Sequence, residues 1–241
     1  MLFCALVVPP GAVAEPVAVR FTEGVARGFP VLRSIGGEVL AHGDLVQLTA
    51  GDRVQSRLVF RFRDGSLYDE TVTFSQRDVF SLITYRIVQR GPSFPETIEA
   101  SVDRVTGRYH VRYRADDDSP EEVHSGSTEI PADVANGLLG TLLKNLEPGA
   151  SKMVSIVAFT PQPRMIRMLL EPMAAEPITM AGMPIPATRY QITPQLGLMA
   201  SLLVTDLPDV KTWIATGDAP AFLRFEGPLY LMGPVWRIDW N

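Results

Sequence analysis

Ser56-Arg57-Leu58-Val59-Phe60-Arg61-Phe62-Arg63 runs directly into Asp64-Gly65. Leu58, Phe60 and Phe62 fall on one side of this stretch, and Arg57, Arg61 and Arg63 on the other. A period of two is that of an extended strand with one face in a core and one in water. Asp-Gly supplies the positive-φ position that a tight hairpin turn needs. A return strand is therefore expected from Leu67 through Tyr68, Val72 and Phe74. A two-residue turn would set Arg61 opposite Tyr68 and Val59 opposite Glu70; a bulged turn would move that register.

The same texture extends outward. Residues 80–90 read as the next strand, ended by Gly91-Pro92. Residues 97–103 alternate with Ile98, Ala100 and Val102 inward, and Thr106-Gly107 turns the chain. Residues 108–114 then place Tyr109, Val111 and Tyr113 on one face and Arg108, His110, Arg112 and Arg114 on the other. The acidic stretch 116–122 breaks this meander. Upstream, Gly36-Gly37 reads as a bare hairpin turn, since no helix start follows it. Ala41-His42-Gly43-Asp44 reads as another turn.

At Pro131 the period changes. Val134, Leu138, Leu139, Leu142, Leu143 and Leu146 recur at helical spacing, Asp133 is placed to cap, and Pro148-Gly149 ends the run. A helix is expected over about 133–146. Its polar stripe (Asn136, Thr141, Lys144 and Asn145) is thin, so most of its circumference should be buried. Gly137 and Gly140 would let a sheet approach its backbone. Strands resume at 153–159, 164–170, 178–180, 188–192, 212–216, 222–226 and 235–240; residues 196–203 fit a short helix or an apolar loop. No internal repeat is present. Strands on both sides of one apolar helix favour a single α+β domain over residues 15–241, mostly antiparallel β.

The N-terminal run Leu2-Phe3-Cys4-Ala5-Leu6-Val7-Val8, ending at Ala12-Val13-Ala14, reads as a secretory signal of residues 1–14 cleaved after Ala14. The other reading is an apolar N-terminal strand. The run lacks a basic lead-in, which points to a true start upstream, and it is shorter than the roughly 20 apolar residues a spanning helix takes. Cys4 is the one cysteine, and bulky Phe3 precedes it where a lipidated cysteine wants a small residue. The mature chain would then carry no cysteine and no transmembrane segment. The expected location is the bacterial periplasm.

A net charge of −5 and an isoelectric point near 5.3 speak against a nucleic-acid partner. The arginines alternate with apolar residues along strands, as on a solvated sheet face; an Arg-rich face for anionic headgroups or polysaccharide is the sharper alternative. The three histidines, His42, His110 and His124, have no metal-ligand spacing. No Gly-x-Ser-x-Gly elbow nominates a nucleophile, and the acidic stretch lacks the glycine of a calcium loop. No catalytic residue, metal ligand or cofactor is nominated. Of nine methionines, eight follow residue 150, which fits either core filling or an adaptable apolar pocket.

From the helix onward the order of features resembles a bacterial family of exported proteins of unknown function, related in fold to the LolA and LolB lipoprotein carriers. The residues that carry this are Asp133-Val134-Ala135-Asn136-Gly137-Leu138, Pro184-Ile185-Pro186-Ala187-Thr188-Arg189-Tyr190, Asp209-Val210-Lys211-Thr212-Trp213-Ile214-Ala215 and Ala219-Pro220-Ala221-Phe222-Leu223-Arg224-Phe225-Glu226. The resemblance spans about the last 110 residues. It implies a curved, incomplete antiparallel barrel (a half-barrel) wrapped around one central apolar helix, with acyl chains held between sheet and helix. No functional residue of the carriers matches position by position, and none is transferred.

The expectation is a non-enzymatic periplasmic protein that binds a hydrophobic or lipid-like ligand or docks an envelope partner. Phe60, Phe62, Tyr109, Val111, Tyr113, Leu138 and Leu142 are the residues expected to face the ligand. The rivals are an envelope enzyme whose site the sequence does not reveal, and a structural module that pairs through its sheet edge.

Overall fold

The structure is a computed structural model that describes residues 15–180, 182–195 and 210–240. The expected signal at 1–14 and the apolar stretch 196–203 lie outside the described residues. The N-terminal arm holds β1 (Ala26–Gly28), β2 (Val31–Ser34), β3 (Val39–Ala50), β4 (Arg53–Phe62), β5 (Leu67–Gln76), β6 (Phe80–Arg90), β7 (Thr97–Asp103), β8 (Arg108–Arg114) and β9 (Glu122–Ser127). A seven-residue helix, α1 (Leu139–Asn145), follows. The C-terminal arm holds β10 (Lys152–Thr160), β11 (Gln162–Ala175), β12 (Ile178–Met180), β13 (Met183–Ile185), β14 (Ala187–Gln195), β15 (Val210–Ala215), β16 (Phe222–Gly227) and β17 (Trp236–Asp239).

Fifteen of these strands form one antiparallel sheet in the order β10-β11-β14-β15-β16-β17-β2-β3-β4-β5-β6-β7-β8-β9, with β1 added on β3; β12 and β13 make a separate hairpin. The two arms join where β17 pairs with β2, Trp236 opposite Ser34 and Ile238 opposite Leu32. The sheet is open, with β9 and β10 at its ends. Strands this long and alternating bury one face, and here both arms bury theirs in one common core. Phe60, Phe74, Leu32, Leu82, Leu170 and Ile192 are among its fully buried members.

Two expectations are corrected, and the register left open at Asp64-Gly65 is decided. That hairpin takes the bulged turn rather than the two-residue one. Gly65 N–H bonds to Phe62 O at 3.2 Å, Phe62 N–H bonds to Ser66 O at 3.0 Å, and Gly65 has φ +87°. The third loop residue moves the register by one, so Arg61 faces Leu67, Phe60 faces Tyr68, and Leu58 faces Glu70. A one-residue slip exchanges the two faces of a strand. The bulged turn wins because only it puts Tyr68, Val72 and Phe74 on the side of Phe60 and Phe62.

His42 is not in a turn but inside β3, opposite Val31 and Arg61. The glycine beside it serves a close approach. A Cβ on Gly43 would sit 2.7 Å from the Phe60 ring and 2.8 Å from Pro30.

The helix is half its expected length. Asp133 does not cap it; its carboxylate accepts from Ser155 Oγ at 2.8 Å, and α1 starts after Leu138 with no side-chain cap. Residues 133–136 instead lie along β10, where Val134 makes a parallel bridge with Ser155. Gly137 at φ +67° then turns the chain, a conformation no helix interior contains. The helix packs nearest to β15 and β16, and a Cβ on Gly140 would sit 3.2 Å from Phe222. The arrangement is a mostly antiparallel open sheet with one short helix, rather than a sheet shown to wrap around a central one. The far end of α1 is tied to the N-terminal segment: Asn145 Oδ1 accepts from the backbone N–H of Arg20 at 2.8 Å and Phe21 at 2.7 Å. Lys144 also pairs with Glu23.

Candidate functional site

The inner faces of the two arms do not meet everywhere. Between them lies a cavity of about 570 Å³. One wall comes from β5 to β8, the other from β10, β11 and β14 to β16; residues 135–137, Leu139 and the turn 228–232 complete it. Most of the lining is apolar, as the inward positions of alternating strands must be; Ile87, Ile98, Ile156, Ile166, Met168 and Ile192 belong to it. The turn is fixed to the N-terminal arm by Gln89, whose side-chain amide donates to Leu229 O at 2.9 Å. The Tyr230 ring also meets Phe94 edge-on at 5.6 Å.

A few polar groups interrupt the apolar walls, Glu70 among them. Glu70 has the inward parity of β5, between Tyr68 and Val72, and faces the cavity. Tyr85 Oη donates to Glu70 Oε1 at 2.8 Å, and the Tyr68 hydroxyl hydrogen-bonds the same carboxyl. Burial raises the Glu70 pKa above the ordinary carboxylate value, and the two phenols pull it part of the way back. Burial, and then the charge of Glu70, push both tyrosines well above their usual value, so they remain neutral donors. The Tyr85 ring lies parallel to that of Phe159 on the opposite arm, with centroids 6.4 Å apart. Asn136, also in the lining, is locked by two bonds to Val157: its Oδ1 accepts from Val157 N–H at 2.7 Å, and its Nδ2 donates to Val157 O at 2.9 Å.

Of the residues the sequence nominated, Tyr113 lines this cavity. Phe60, Val111, Leu138 and Leu142 are buried in the core outside the lining, and Phe62 packs among Phe94 and Trp236 with ring centroids 5.4 and 5.5 Å away. Tyr109 is half-buried, and its hydroxyl lies over Gly126, where a Cβ would sit 2.8 Å from it. Tyr68, Glu70, Tyr85 and Asn136 were not nominated. Glu70 carried a signal: a lone acid at the inward parity of a strand whose other inward residues are apolar.

No family model matches the chain, and no curated protein matches it. Among solved structures, the crystal structure of a beta-barrel-like protein of the domain of unknown function DUF1849 from Brucella abortus is similar. The match covers 95% of this chain and 98% of that one, at 8% identity and a TM-score of 0.45.

The outer face is different in kind. A shallower depression of about 560 Å³ runs over Thr71, Thr73, Thr84, Arg86 and His110. Arginines of this face are met by acids on neighbouring strands. Arg57 makes two bonds to Asp69, at 2.9 and 2.7 Å. Arg86 bonds Glu99 at 2.8 Å, and Arg112 bonds Glu121 at 3.0 Å. His110 Nδ1 is 2.7 Å from Ser125 Oγ, and His124 Nε2 is 3.0 Å from Glu122. Both histidines sit on β8 and β9, away from the cavity lining. No group of three or more His, Cys, Asp or Glu among the described residues is placed to hold a metal ion. No helix there is long and apolar enough to cross a membrane.

Proposed function

We propose that this chain is a non-enzymatic, exported protein of the bacterial periplasm that holds a hydrophobic or lipid-like guest between the two arms of its sheet. The cavity of about 570 Å³ carries this reading. It lies within the size range of small-molecule sites, roughly 300–1,000 Å³, and has their composition of apolar walls and few polar groups. An apolar gap can stay dry and accept an apolar guest. The reading also draws on the resemblance of the second half of the sequence to a family of exported proteins related in fold to the LolA and LolB carriers, in which acyl chains lie between sheet and helix.

The test uses N-phenyl-1-naphthylamine, a neutral probe that brightens in apolar surroundings. The wild-type chain should bind it at low micromolar concentration. Ala158→Trp, which adds a large ring to the cavity lining, should abolish uptake while leaving the far-UV circular dichroism unchanged. Uptake that survives the tryptophan, or is absent from the start, would overturn the reading. Native mass spectrometry of protein purified from its own cell envelope would then show the guest as an added mass.

A further inference from the structure

We infer that the guest is an amphiphile with a single alkyl chain and a protonated amine at its head, and that Glu70 receives that head. The inference rests on the reading of the cavity as a ligand site and adds which chemistry it selects. The lining holds two carboxylates, Glu70 and Glu96, and among the described residues it contains no Lys, Arg or His. An anionic head would enter an apolar space with two like charges and no cation, so carboxylate- and phosphate-headed chains are disfavoured. A cationic head meets the opposite sign, and in a site of low polarity such an attraction is far less screened than in water.

The geometry around Glu70 favours one place for the head. Its Oε1 accepts from Tyr85 at 2.8 Å, and Tyr68 hydrogen-bonds the same carboxyl, so the group is held from the protein side. A carboxylate has about four lone-pair sites, and two phenols leave some of them for a donor arriving from the cavity. An ammonium brings three N–H donors and no acceptor. Its remaining donors have the phenolic oxygens of Tyr68 and Tyr85 within the same lining. Burial raises the Glu70 pKa in the absence of a cation, and a bound ammonium reverses that tendency by favouring the ionised form. The alkyl chain would run toward Ile156, Ile166 and Ile192 on the facing arm.

Displacement of N-phenyl-1-naphthylamine by decylamine, decanol and decanoate at pH 7 separates the possibilities, because the three differ only in the head. Decylamine should displace the probe at least tenfold more effectively than decanoate, and more effectively than decanol. Glu70→Gln should remove most of the advantage of the amine over the alcohol and improve decanoate. If this variant does not fold, the wild-type comparison stands alone. Decanol equal to decylamine would show that charge is not read, and decanoate equal or better would show the wrong sign; either overturns the inference while leaving the cavity as a binding site. A probe that never enters the wild-type chain overturns both this inference and the function it rests on.

Discussion

Glu70 is where the sequence pattern and the requirements of a core conflict. An ionised carboxyl is costly among apolar walls, and the two phenols offset this only in part. Its pKa is raised on folding, so the folded state holds the proton more tightly than the unfolded one. Glu70 therefore favours the fold below the ordinary carboxylate value of 4.5. That contribution is lost as pH climbs through the raised folded value. Glu70→Gln should accordingly raise the melting temperature at pH 7, with the gain shrinking to nothing toward pH 4. A lower melting temperature for the variant at pH 7 would mean that the charge is better satisfied than the burial implies. The strand is legible in the sequence but its inward face is not: a two-residue turn sets Tyr68 opposite Arg61, and only the bulged register puts Tyr68, Glu70, Val72 and Phe74 on the side of Phe60. The partner Tyr85 is not legible either, because it reaches Glu70 from a neighbouring strand. The nominated aromatic rows were read correctly as inward. Inwardness alone does not separate the residues that fill a core from those that border a gap, and only Tyr113 borders this one.

Residues 133–146 show how an element can be half read. The leucine spacing identifies the helix, and Leu138, Leu142, Leu143 and Leu146 are buried together. Leu142→Ala should cost roughly 2–5 kcal/mol in chemical denaturation, the usual range for a buried leucine. A loss well under 1 kcal/mol would mean that the helix contributes little to the core. Val134 fits the same spacing, yet it belongs to a segment held against β10 through Asp133, Asn136 and the bridge to Ser155. Those partners lie about 20 residues away in sequence, and no local pattern reports them. Gly137 marks the break. Its φ of +67° disfavours any Cβ, and one placed there would sit 3.0 Å from the Val72 Cβ. Gly137→Ala should cost about 1–2 kcal/mol for the left-handed backbone alone, plus the displacement of Val72. If alanine proves neutral in urea titration, the segment has another conformation open to it.

At the scale of the molecule, the meander and the closing strands were visible as separate runs, but the single ladder they form was not. The decisive contact, β17 on β2, joins residues some 200 positions apart. It makes one sheet of two arms, and the aromatic group around Trp236, with Phe62, Phe94 and Tyr230, packs across the same junction. The core is likewise shared, with Tyr85 of one arm stacked on Phe159 of the other. Neither arm could bury its inner face without its neighbour, so the two should unfold as one unit. Spectroscopy can follow one arm against the whole. All three tryptophans, Trp213, Trp236 and Trp240, lie in the C-terminal arm, whereas far-UV circular dichroism reports the strands of both arms. Tryptophan fluorescence and far-UV circular dichroism should therefore give one urea midpoint, and bound N-phenyl-1-naphthylamine should be released at that same midpoint, because the cavity exists only while both walls do. Trp236→Ala, at the junction, should shift all three signals together by roughly 3–5 kcal/mol, the range for a large buried aromatic. Midpoints that separate, or a probe signal lost while both arms keep their structure, would show that the arms fold independently and that the cavity depends on something other than their union.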